Sequence, residues 1–250
     1  MTKTKTFFIT DAHLGSGDDS VTREKDLVRW LHAVEPEAAR IVMLGDIFDF
    51  WFTYKHAVPR GFIRVLGALA EVADKGVELH FFIGNHDMWL FDYLEKEMGV
   101  IMHSKPETML IDGKKFLIGH GDGMGNQDKS YLLLKRVFRS RLNQWLFAGV
   151  HPNISFPFAQ RWSNSSRRRH SIKYNGYLGD DKEAIFLFCK AQQETTIEKG
   201  EKPYDYFIFG HRHTPICRPV GNASYINVGN WIENRDYAVF DGENCELRKF

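Results

Sequence analysis

The sequence predicts an α/β fold in which two sheets pack together with helices outside. Three observations predict it. Short apolar, β-rich runs recur along the 250 residues, helical patterns separate the early runs, and closely spaced strands replace the helices after residue 200. The runs are "TFFIT" (6–10), "RIVML" (40–44), "ELHFFI" (78–83), "KFLIG" (115–119), "YFIFG" (206–210), "SYINVG" (224–229) and "YAVF" (237–240). Between the first three, "EKDLVRWLHAV" sets Leu27, Val28, Trp30, Leu31 and Val34 on one stripe, and "FIRVLGALAEVADKG" repeats the pattern until Gly76 ends it. That β-α-β-α order calls for right-handed crossovers and a largely parallel first sheet. The late strands, with no helix between them, predict an antiparallel second sheet.

A chain of this length can bury one full core, so residues 1–250 are expected to form a single domain. Its 43% hydrophobic and 26% charged residues are ordinary for a globular protein. Cys189, Cys217 and Cys245 are too scattered for a metal site and read as reduced thiols of a cytoplasmic protein. The apolar run at the N-terminus is too short for a signal peptide. No uninterrupted apolar run approaches the roughly 20 residues needed to span a bilayer, so any membrane contact is made from one side.

The net charge of +1 conceals an asymmetry. Residues 125–175 hold ten Lys or Arg against the single acid Asp128, a local charge of +9 that leaves −8 for the rest of the chain. Eight aromatic residues, among them Tyr131, Trp145 and Trp162, are interleaved with them. This block falls between the two halves of the strand pattern, so 125–180 is expected to be an inserted basic and aromatic segment.

Polar residues follow the apolar runs in a repeated way. "FFIT" ends in Asp11-Ala-His13, "IVMLG" in Asp46 with Asp49 beyond it, "HFFIG" in Asn85-His86-Asp87, "KFLIG" in His120-Gly-Asp122 and "YFIFG" in His211-Arg-His213. Glycine precedes the polar group in four of the five, where a backbone turns tightly or approaches something closely. A capped turn explains any one of these exits, and His120 alone would pass for a structural histidine. Five in the same position are better explained by loops converging on one crevice at the carboxyl ends of the strands. Asp and His together suit Mn, Fe or Zn better than Mg or Ca. Two such ions sharing a carboxylate favour an anionic phosphate and lower the pKa of a water, so no Ser or Cys nucleophile is required.

In this order "DAH", "GDIFD", "GNHD", "GHGD" and "GHRH" resemble the calcineurin-like metallophosphoesterase signature, which spans residues 11–213. The resemblance implies a four-layer β-sandwich flanked by helices. It implies two divalent metal ions, Mn²⁺ first with Fe or Zn as the other candidates. One ion would be held by Asp11, His13, Asp46 and His213, the other by Asp46, Asn85, His120 and His211. It further implies that His86 contacts the phosphate and protonates the leaving oxygen, with Asp49 orienting it. Asp87 is expected to cap the following helix.

The insertion bears on the substrate. Its simplest reading is a solvated amphipathic helix over "DKSYLLLKRVFRSRLNQWLF"; a single-strand nucleic-acid surface, a membrane surface and a cap over an anionic, acylated substrate are the others. "DAHLG", "GDIFDFW", "GNHD" and "GHGD" followed by "DKSYLLLKRVFR" resemble bacterial UDP-2,3-diacylglucosamine hydrolases of the lipid A pathway. Two positions depart from the best-known members: His86 stands where they carry Arg, and "GHRHTP" replaces "GHTHRP". The resemblance implies cleavage of the substrate pyrophosphate to UMP and 2,3-diacylglucosamine 1-phosphate (lipid X). It implies a helical lid for the acyl chains and a site on the cytoplasmic face of the inner membrane. Asn85 and His86 would touch substrate from the metal loops, and Asp128, Tyr131 and Arg169 from the lid. The expected partners are thus the acylated sugar nucleotide and the inner membrane, with nucleic acid disfavoured and the chain a monomer or weak oligomer. The second reading is a phosphatase or phosphodiesterase of the same superfamily acting on another phosphoester.

Overall fold

The computed structural model describes residues 3–125, 129–173 and 176–250, except the side chains of Trp162 and residues 164–173. Its first half alternates strand and helix: β1 (Lys5–Ile9), α1 (Ser20–Val34), β2 (Ala38–Met43), α2 (Ile63–Asp74), β3 (Glu78–Phe82), α3 (Tyr93–Met98) and β4 (Ile101–His103). A hairpin follows, β5 (Glu107–Ile111) and β6 (Lys114–Ile118), and then four helices, α4 (Lys129–Arg139), α5 (Arg141–Ala148), α6 (Pro152–Lys173) and α7 (Ala184–Glu198). The chain closes with β7 (Tyr206–Phe209), β8 (Ile216–Val220), β9 (Ala223–Asn227), β10 (Asp236–Phe240) and β11 (Cys245–Lys249).

Side-chain alternation along the strands sorts them into layers. In β1, Phe7 and Ile9 face Leu27, Trp30 and Leu31 of α1, while Phe8 points the other way into the second sheet. β2 repeats this with Ile41 and Met43 against the helices and Val42 opposite. In the other sheet Phe116 of β6 and Ile208 of β7 meet Phe8 and Val42, and Leu117, Phe207 and Phe209 turn outward onto Ile185, Phe186 and Cys189 of α7. The order is therefore helix, sheet, sheet, helix. A period of two with both faces apolar requires this, because each strand buries two surfaces.

The first sheet runs β11-β10-β1-β2-β3-β4, with β1 to β4 parallel as the sequence predicts. The second, β5-β6-β7-β9-β8, is mixed rather than antiparallel: β6, β7 and β9 run parallel, and only its edge pairs are antiparallel. Helices α4 to α7 fill the connection from β6 to β7, and the edge strand β8 lies between β7 and β9 in sequence. Both connections are long enough for crossovers. The run "YAVF" also changes sheets, because β10 lies antiparallel to β1. Close spacing in sequence does not determine which sheet a strand joins. The three cysteines are unpaired. No helix among the described residues is long and apolar enough to cross a membrane.

Helices α4 to α6 stand on an aromatic shelf from two of the metal-type loops. Phe50, Phe52 and Trp89 meet Phe147 with ring centroids 6.1, 4.9 and 4.7 Å away, and Phe50 meets Phe156 at 5.4 Å. The Trp89 indole donates to the Phe138 carbonyl at 2.9 Å and the Tyr54 hydroxyl to the Val150 carbonyl at 3.2 Å, which ties down the end of α4 and the turn that follows α5.

Candidate metal centre

The strand-exit loops do converge, and the backbone strains to make them do so. Asp11, His13, Asp46, His211 and His213 all sit at positive φ, between 43° and 67°. Left-handed backbone is uncommon outside glycine, and such strain persists where the surroundings over-determine it. Buried Arg23, which the sequence reading passed over, supplies part of that constraint. Its guanidinium donates to the carbonyls of Ala12 and His13, both at 3.1 Å, and to that of Ser16, pinning the first loop from α1. The glycines serve close approach. A Cβ on Gly84 would lie inside the Asp46 carboxylate, and one on Gly210 inside the Thr10 hydroxyl.

Each central aspartate divides its oxygens. Asp11 Oδ2 accepts from the Thr10 hydroxyl at 2.8 Å and the His211 amide at 2.9 Å. Its Oδ1 is buried with no hydrogen-bond donor in proper geometry among the described residues, although His213 Nε2 lies 3.2 Å away. Asp46 Oδ1 accepts from the His86 amide at 2.8 Å. Its Oδ2 lies 3.3 Å from His120 Nε2 and 3.8 Å from His13 Nε2, between two groups of donors.

The histidines are turned the same way. His120 Nδ1 donates to the Leu44 carbonyl at 2.8 Å, and His13 Nδ1 lies 3.1 Å from Asp49 Oδ1. Holding Nδ1–H outward leaves Nε2 facing the centre, as a ligating imidazole requires. His13 Nε2 and His213 Nε2 stand 3.3 Å apart, and Asn85 Oδ1 is 3.3 Å from His120 Nε2. Ligand atoms of Asp11, His13 and His213 fall within 4.8 Å of one another, as do those of Asp46, His120 and His211. All seven expected ligand positions are thus brought together. A third such group, His13, Asp46 and His86, brings His86 against them. An orphaned carboxylate oxygen and imidazole nitrogens aimed at one another fit a pair of divalent cations, and an O/N donor set suits Mn, Fe or Zn.

The electrostatics agree. Burial would raise the Asp11 carboxyl, but His213 and His120 bring it down to about 2; Asp46 is likewise held well below its ordinary value against burial, chiefly by His120 and His86. Burial lowers His13 to about 4, and burial with the neighbouring His120 lowers His211 to about 3, so both are neutral imidazoles with a lone pair to give. His120 moves the other way: burial opposes its charge, but Asp46 outweighs it and raises it to about 10. His213 is raised as well, burial being overcome by Asp11. In the metal-free protein, protons on these rings therefore occupy the place of cation charge. Metal binding must displace them, so affinity should rise with pH, by about a decade per pH unit for each proton released. Mn²⁺ binding measured by calorimetry at pH 6.5 and 8 should tighten accordingly, with proton uptake by the buffer; a pH-independent affinity would contradict this.

Three expected roles look different in place. Asp87 caps no helix: it is fully buried and its carboxylate accepts from the amides of Gly84 and Ile47, both at 2.9 Å, so it ties two loops together. The residue preceding α3 is instead Asp92. The Asp49 carboxylate is nearer to His13 than to His86, whose Nδ1 lies 3.6 Å from Oδ1 and 3.0 Å from the Asp49 carbonyl oxygen. Tyr131 donates its hydroxyl to Asp122 at 2.8 Å, beside a Lys135–Asp122 ion pair at 2.5 Å. Asp128 and the Arg169 side chain lie outside the described residues.

The calcineurin-like phosphoesterase family profile matches residues 4–215. A Porphyromonas gingivalis protein named UDP-2,3-diacylglucosamine hydrolase is 39% identical over 260 residues, which cover 98% of this chain and 97% of that protein. Proteins of the same name from Edwardsiella ictaluri and Yersinia pseudotuberculosis are 27% and 24% identical, covering 84% and 98% of this chain and 76% and 98% of their own lengths.

Proposed function

The chain belongs to the calcineurin-like phosphoesterase family, and from that premise we propose that it hydrolyses the pyrophosphate of UDP-2,3-diacylglucosamine, releasing UMP and 2,3-diacylglucosamine 1-phosphate. One observation carries the substrate. The 39% identical relative of that name matches 98% of the chain, so the likeness takes in the inserted helices as well as the motifs.

When bound, two divalent ions, Mn²⁺ on our reading, would supply Lewis acidity at the phosphate and a water of lowered pKa. Asp11, His13 and His213 would hold one, Asn85, His120 and His211 the other, with Asp46 shared. His86 stands beside this group, where its imidazole can meet the phosphate and deliver a proton to the leaving oxygen. Asp49 contributes by fixing His13 through its carboxylate and His86 through its carbonyl.

Helices α4 to α6 act as the lid. Leu133, Leu142, Trp145, Leu146 and Ile154 are exposed on them, 55–72% each, among the basic residues of the insertion. Apolar side chains set in a cationic surface suit acyl chains and anionic headgroups. This supports an acyl-holding lid and peripheral contact with the cytoplasmic face of the inner membrane. The family also admits another phosphoester as substrate, and the assay separates the two readings.

In detergent micelles the protein should release UMP from UDP-2,3-diacylglucosamine. The deacylated sugar nucleotide should turn over at least about 100-fold more slowly in kcat/KM, since each buried methylene contributes about 0.8 kcal/mol. Equal rates on the two would remove the acyl-binding role. Hydrolysis of a simple aryl phosphodiester without UMP release from the lipid would favour the other phosphoester.

A further inference from the structure

Ser163 lies on α6, far in sequence from every metal-type motif, and is buried. Its hydroxyl donates to Asp49 Oδ2 at 3.0 Å and sits 3.1 Å from His86 Nδ1. A hydroxyl has one proton and two lone pairs. Donating to the carboxylate, it can accept only at its remaining face, where the imidazole N–H lies. The Asp49 carbonyl, 3.0 Å from the same nitrogen, is also an acceptor only. Both neighbours therefore hold a proton on His86 Nδ1 and direct Nε2 away from Asp49, so the proton passed to the leaving oxygen is the Nε2 proton of the imidazolium, and the ring is left neutral with Nδ1–H in place. With His13 on Asp49 Oδ1, the three side chains form one chain: His13, Asp49, Ser163, His86.

We propose that Ser163 is a positioning residue for His86, and that the docked helix α6 contributes to catalysis by placing this hydroxyl between Asp49 and His86. The inference rests on His86 as the proton donor in the reading above. It adds that the donor is held from the lid as well as from its own loop. Asp49 Oδ2 and His86 Nδ1 lose a shared partner when α6 lifts, so the acid is best aimed when the lid is down. Sequence reading had no means to find Ser163: it is one serine in "RWSNSSRRR", and only the fold brings it to His86.

The test uses two aryl phosphodiesters, diphenyl phosphate and bis(p-nitrophenyl) phosphate, with Mn²⁺. The first expels a basic phenolate that needs a proton; the second expels a stable anion that does not. Neither carries sugar, uridine or acyl chain, so the result is independent of the lipid assignment. Ser163→Ala should lower kcat on diphenyl phosphate about 10- to 30-fold, a fraction of what a full general acid contributes. It should leave bis(p-nitrophenyl) phosphate within about threefold and both KM values unchanged. Ser163→Thr, which keeps the hydroxyl, should recover most of the loss. Equal loss on both esters would overturn the proposal by marking a structural defect. A raised KM at constant kcat would overturn it by making Ser163 a substrate contact.

Discussion

Asp46→Ala is expected to abolish turnover, by about 10³- to 10⁴-fold, and to leave the purified protein with fewer than two metal ions per chain. Changes to outer-shell partners of metal ligands already cost about 10- to 100-fold, and Asp46 stands closer than that. Its Oδ2 lies between His120 and His13, and its Oδ1 accepts from the His86 amide, so one truncation would disturb both proposed ion positions and the proposed proton donor. Stability should fall too. Without bound metal, Asp46 faces His120 and raises its pKa, and removing one partner of such a buried pair costs about 3–5 kcal/mol. Asp46→Asn separates the two effects. The amide oxygen still accepts from the His86 amide, so the fold should survive, but the charge proposed to hold the cations would be gone. Elemental analysis of both variants beside turnover checks this. Two tightly held ions in Asp46→Ala would mean that this carboxylate is not shared.

The residues proposed to carry this chemistry were legible because they are local. A strand exit with Asp or His after a glycine is a pattern of a few adjacent positions, and Asp11, Asp46 and His211 need no distant information to be noticed. The helices of the first half were legible for the same reason: Leu27, Trp30 and Leu31 repeat at helical spacing and are buried. Sheet membership was not. β10 reads like any late strand, and its pairing with β1 is decided by which open edge remains after the crossovers are made. Asp87 shows the limit within a motif. Beside two functional residues it reads as a helix cap, and only the approach of Ile47 and Gly84 turns its carboxylate inward. Arg23 was hidden in a different way. A basic residue near the start of an amphipathic helix is ordinarily solvated, and nothing nearby announces the carbonyls of Ala12 and His13 that bury it.

His86→Ala should behave differently from any ligand variant. Turnover should drop by about 10²- to 10⁴-fold, the usual contribution of a positioned general acid, while two metal ions per chain are retained. The imidazole reaches the centre but its contacts are peripheral to it: Nδ1 is taken up by the Asp49 carbonyl and Ser163, and the amide that supports Asp46 belongs to the backbone and survives the substitution. His86→Ala should therefore keep Asp46 in place. Parallel loss of metal and rate would make His86 a ligand, as its proximity to His13 and Asp46 allows geometrically. The double variant His86→Ala/Ser163→Ala gives the sharper reading. If the hydroxyl acts only through the imidazole, it has nothing to position once the ring is gone, and the double variant should be no slower than His86→Ala alone. Residues in one network are non-additive in this way, whereas independent contributions multiply. Multiplied losses would detach Ser163 from His86 and leave the lid helix without a part in proton transfer.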